Sequence, residues 1–68
     1  MQTLDFTISG MTCQHCVASV TEEVTELPGV SGVDVDLATG RLQVVGDVTA
    51  EQVQAAVAEA GSYTAQPA

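Results

Sequence analysis

Val33-Asp34-Val35-Asp36-Leu37-Ala38-Thr39-Gly40-Arg41-Leu42-Gln43-Val44 is the stretch on which the fold turns. Val33, Val35 and Leu37 alternate with Asp34, Asp36 and Ala38. That period of two sets one row of side chains against a core and the other in water. Thr39-Gly40 interrupts the pattern as a turn, and Leu42 and Val44 resume it on the far side of Gln43. Two strands joined by a short turn form a hairpin.

Outward from the hairpin, each flank adds a helix and then a strand. On the N-terminal side, Val17, Val20, Val24 and Leu27 recur at spacings of three, four and three, which is one face of a helix from about Gln14 to Glu26. Pro28-Gly29 stops it. Before it, Leu4, Phe6 and Ile8 alternate with Thr3, Asp5 and Thr7 as a half-buried strand, closed by Ser9-Gly10. On the C-terminal side, Thr49 with Gln52 three residues on predicts a capping box. Val53, Ala56, Val57 and Ala60 line the helix that follows, and Gly61 is its expected stop. Ser62 to Gln66 is a short last strand. The order β-α-β-β-α-β predicts an α+β, ferredoxin-like sandwich, with two helices on one face of a four-stranded antiparallel sheet. Asp34, Asp36 and Gln43 then fall on its open face.

The chain has 68 residues, so residues 1–68 are read as a single domain with one small core. There is no Trp, one Phe and one Tyr, so that core is expected to be aliphatic. Nine acids face one base, Arg41, with no lysine, for a net charge of −8. Phosphate neutralisation needs Lys and Arg, so nucleic acid is excluded as a partner. The field repels anionic lipid and attracts cations and basic protein surfaces. No apolar run approaches the roughly 20 residues of a membrane span, so no direct membrane insertion is expected. No secretory signal is visible between Met1 and Phe6. The expected location is the cytoplasm, with both cysteines present as thiols.

Chemistry concentrates in Gly10-Met11-Thr12-Cys13-Gln14-His15-Cys16, between the first strand and the first helix. Positions three apart on a helix face the same way. With Cys16 in the first turn and Cys13 just before it, both sulfurs can converge at the helix N-terminus. Unpaired N–H groups and the positive end of the helix dipole favour a thiolate there. Structural zinc wants four Cys or His ligands, and the chain has two Cys and one His. Cu(I) is soft, prefers thiolates and accepts low coordination. A two-thiolate site also leaves room for an incoming sulfur, which is what transfer between proteins requires. His15 is expected to turn toward solvent and to act, if at all, through its charge on the neighbouring thiolates. Met11 has a thioether that suits Cu(I), yet its expected place is as an apolar peg in the core.

The signature Gly10-Met11-Thr12-Cys13-x-x-Cys16 resembles that of the heavy-metal-associated domain. Leu27-Pro28-Gly29-Val30, Val33-Asp34-Val35 and Gly40 follow at the family's spacing, so the resemblance covers nearly the whole chain. Within the family it is most similar to bacterial cytosolic copper chaperones. The resemblance implies Cu(I) held by Cys13 and Cys16. It also implies delivery to the cytosolic metal-binding domain of a copper-transporting P-type ATPase, with no catalysis. Thr12 stands where zinc- and cadmium-pump domains often carry Asp, which favours Cu(I). The chaperones usually carry an aromatic or Lys directly after the glycine that ends the second helix. Here Ser62 follows Gly61 and Tyr63 comes one later, so either Ser62 or Tyr63 faces the metal, or Tyr63 covers the sheet edge.

Three other readings use the same residues. A metal-binding domain excised from a copper ATPase would share fold and site. A thiol–disulfide oxidoreductase also uses C-x-x-C, but normally on a longer chain with an aromatic where Thr12 stands. Storage would need a copper-bridged dimer sharing four cysteines, with the metal-free chain a monomer and His15 a ligand at the interface. Glu22, Glu23 and Glu26 on the first helix are either a docking face for a basic partner or a solvated surface.

Overall fold

The computed structural model describes residues 2–11, 14–61 and 63–68. Its elements run β1 (Gln2–Ser9), α1 (Gln14–Thr25), β2 (Val30–Asp36), β3 (Arg41–Gly46), α2 (Ala50–Ala60) and β4 (Thr64–Pro67). The four strands form one antiparallel sheet in the order β2-β3-β1-β4. Each helix therefore crosses over a strand inserted from the other half, which is the split βαβ arrangement expected from the sequence.

Phe6 and Ile8 of β1, Leu42 and Val44 of β3, Val20 and Val24 of α1, and Val53, Ala56 and Val57 of α2 form the buried core, joined by Val48 and Ala65. The core is aliphatic around one ring, as the composition requires. The opposite sheet face is polar: Asp5, Asp34, Asp36, Arg41 and Gln43 are all exposed, and the Gln43 amide donates to Asp5 Oδ1 at 3.3 Å.

The capping box is present in both directions, with Gln52 N–H donating to Thr49 Oγ1 at 3.2 Å and Thr49 N–H to Gln52 Oε1 at 2.9 Å. The boundaries of two strands differ from the sequence reading. β2 starts at Val30, three residues earlier than the alternation begins, because a register shift between Val30 and Gly32 breaks the period of two. Leu37 falls in the turn, where Asp36 Oδ1 accepts from Ala38 N–H at 3.0 Å and closes the strand. The last strand is Thr64–Pro67 rather than Ser62 to Gln66. Pro67 is tolerated because β4 is an edge strand. Where β3 leaves the sheet, the Gly46 backbone passes so close to the Gly29 carbonyl and Val30 that no side chain fits at residue 46.

Candidate metal centre

The loop that follows β1 is shaped first by Gly10, whose φ of +101° is a conformation that side chains disfavour. Met11 is half-buried and packs against the core, in the anchoring place expected for it. Thr12 and Cys13 lie outside the described residues. Description resumes at α1, where Gln14 and His15 are exposed and Cys16 is half-buried in the first turn. The solvent-facing position of His15 agrees with the sequence reading.

The electrostatic setting of Cys16 comes from what α1 omits. The first turn of α2 carries Glu51, whereas the first turn of α1 holds no acid. An acid there would occupy the positive end of the helix and its unpaired N–H groups. Without one, no carboxylate of the first turn competes with anionic sulfur for that end of the helix. Among the described residues, no three of His, Cys, Asp and Glu gather into a metal-holding cluster.

Of the two side chains considered for the flank of the metal, Ser62 lies outside the described residues. Tyr63 is half-buried, packs on the core and folds back over the end of α2. A methyl group placed on Gly61 would stand 2.8 Å from Tyr63 Cε2. This pairing of a glycine with a ring two residues later was not legible in the sequence. The cue available was the glycine-x-aromatic spacing, which does not give the direction the chain takes on leaving the helix. Gln54 adds a tie across the same region, its amide donating to the Ala65 carbonyl at 3.0 Å. The acids Glu22, Glu23 and Glu26 sit at the other end of α1, with Glu23 and Glu26 beside Leu27, Ala55, Ala56 and Glu59 in a groove of about 320 Å³ between the helices.

Comparison with known proteins places this geometry in context. Residues 5–62 match the model of the heavy-metal-associated domain. The copper chaperone CopZ of Staphylococcus saprophyticus is 39% identical over 64 residues, a span covering 90% of this chain and 94% of that protein. Copper-transporting ATPase 1 of Rhizobium meliloti is 41% identical over 59 residues, covering 84% of this chain and 7% of the ATPase. Among solved structures, a copper binding domain from HMA7, a P-type ATPase, has a TM-score of 0.94 at 30% identity, covering 100% of this chain and 95% of that one. The chain thus spans nearly all of one relative and a small module of another. Among the described residues, no helix is long and apolar enough to cross a membrane.

Proposed function

Since the chain belongs to the heavy-metal-associated domain family, we propose that it carries one Cu(I) between Cys13 and Cys16 in the cytoplasm. From there it passes the ion to the C-x-x-C domain of a copper-transporting P-type ATPase, without catalysing a reaction. The observation that carries this reading is Cys16 at the head of a helix whose first turn has no acid. Cys13 stands three residues before it in the sequence, the spacing by which a second thiolate would share that positive helix end. The likeness to a copper chaperone along 94% of that protein supports the same assignment.

Two thiolates hold a soft monovalent ion firmly enough to protect it, and their low coordination leaves a side open. A partner thiolate binds there before one of the two original bonds breaks, so the ion is never released to water. Met11 holds the loop by its packing on the core. Thr12 leaves out the hard carboxylate ligand that would favour a divalent ion.

Titration of the reduced protein against a Cu(I) chelator tests the site. One Cu(I) per chain is expected at low loading. Cys13→Ser and Cys16→Ser should each cripple binding, and His15→Ala should keep the stoichiometry. Wild-type affinity in either cysteine variant would sink the two-thiolate site. Mixing the loaded protein with a metal-free C-x-x-C domain tests transfer, which is read as copper on the partner after separation.

The 41% identity to a module of a copper-transporting ATPase supports a second reading, in which the same site sits inside a transporter and receives copper. The two readings differ in the direction of net transfer, which the mixing experiment reports.

A further inference from the structure

The two free edges of the sheet are not alike. β4 offers four residues and ends in Pro67, which is a blunted edge. β2 is the other terminal strand and pairs only with β3, so alternate N–H and C=O groups of a seven-residue strand face outward. Its irregularity is confined to Val30–Gly32, and from Val33 to Asp36 the register is regular. β2 holds no proline and no lysine, two residues that commonly guard such edges.

A groove of about 490 Å³ runs along this edge, lined by Gln14, Asp34, Val35, Asp36, Leu37 and Ala38. It reaches from the open sheet face, where Asp34 and Asp36 stand exposed, to the first turn of α1. Val35 and Leu37 are half-buried and give it apolar contact. Among the described residues, Asp34 has no side-chain hydrogen bond or ion pair. Two like charges spaced two apart repel a second copy of an acidic chain and attract a basic strand.

We propose that the β2 edge accepts an extended, basic segment of a partner protein as an added strand, with two Lys or Arg residues spaced two apart set on Asp34 and Asp36. Alternate residues of a strand share a face, so the residue between the two bases points to the helix side, toward Val35 and Gln14. Backbone pairing supplies affinity, and the two carboxylates select the partner. The proposal does not rest on the metal reading, although Gln14 places the docked strand beside the first turn of α1.

The test is a titration of the ¹⁵N-labelled protein with the peptide Thr-Arg-Val-Arg-Val-Thr, followed by amide shifts. Shifts concentrated on Gln14 and residues 33–38 are expected. Asp34→Asn and Asp36→Asn should each weaken binding by about two- to fivefold, and Asn at residue 36 keeps the acceptor for Ala38 N–H. Two further peptides carry N-methyl groups on one or the other alternating set of amides, and at least one should lose about tenfold in affinity. Shifts centred on Glu22, Glu23 and Glu26, or full binding by both methylated peptides, would assign the interaction to bulk charge and overturn the strand. Unchanged binding by the double Asn variant would overturn the selection by carboxylates. Sedimentation of the protein alone should show a monomer, and self-association blocked by the peptide would give the edge to a second copy instead. A Cys13→Ser/Cys16→Ser variant should bind the peptide as the wild type does, so this proposal and the Cu(I) site fail separately.

Discussion

A methyl group added at residue 61 has nowhere to go while Tyr63 lies over it, because its nearest neighbours are ring carbons at 2.8, 3.3 and 3.4 Å. Gly61→Ala should therefore destabilise the fold by about 1–3 kcal/mol, from the ring contact together with the φ of +158° that a side chain disfavours. The check is a double-mutant cycle in urea. In a Tyr63→Ala background the cost should fall but not vanish, because the ring is gone while the φ of +158° still disfavours a side chain. An equal cost in both backgrounds would mean that the backbone at residue 61, not the ring, resists the methyl. At this scale the chemistry was easier to read than the packing. Cys13-x-x-Cys16 stands out in the sequence as the candidate site, because few residue types hold a soft metal. The exposure of His15 followed from its place between them, and the core contact of Met11 from its apolar side chain. The fate of Tyr63 did not follow, since a contact across two residues depends on a chain direction that no periodicity records.

Among the elements, the second helix was the most legible because its ends carry their own chemistry. Thr49 and Gln52 satisfy each other's backbone N–H groups, and removing the hydroxyl leaves one of the helix's N-terminal donors without its partner. Thr49→Ala should cost about 1 kcal/mol, read as a fall in Tm of about 4–8 °C for a domain of this size. The first helix ends against local preference. Glu22 lies in its last turn and Glu26 just beyond, with no base there to complement the negative end of the dipole. The pair is also a like-charge repulsion at i, i+4, closed by the Glu26 N–H bond to the Glu22 carbonyl at 3.2 Å. Glu26→Lys should raise stability by about 0.5–1 kcal/mol at low salt, measured by urea denaturation. If these acids serve docking, the same variant should bind a basic partner more slowly. A variant that gains stability and docks at the wild-type rate would return them to the role of a solvated surface. The second strand was the least legible element. Its alternation is clean from Val33, but Val30-Ser31-Gly32 carries the register shift, and a bulge removes the periodicity by which a strand is recognised.

Across the whole molecule, nine carboxylates share one fold with a single guanidinium, and that base lies on the open sheet face beside Asp5, Asp34 and Asp36. The acids on the helices thus have no basic side chain of their own chain to face. Folding gathers charge that the unfolded chain holds farther apart, so self-repulsion subtracts from stability. Added salt shortens the Debye length from about 30 Å at 0.01 M to about 10 Å at 0.1 M and relieves that repulsion. Raising NaCl across this range should therefore raise Tm. The same screening weakens steering toward a basic partner, so the association rate should fall as Tm climbs. The opposite signs are what make the pair of measurements decisive. General salt effects on burial can raise Tm but do not slow docking, and a partner that binds through apolar contacts alone would keep its rate. A Tm that drops with salt would show that the carboxylates are held by attraction within the fold, and the account of an acidic surface left open for a cationic partner would fail with it.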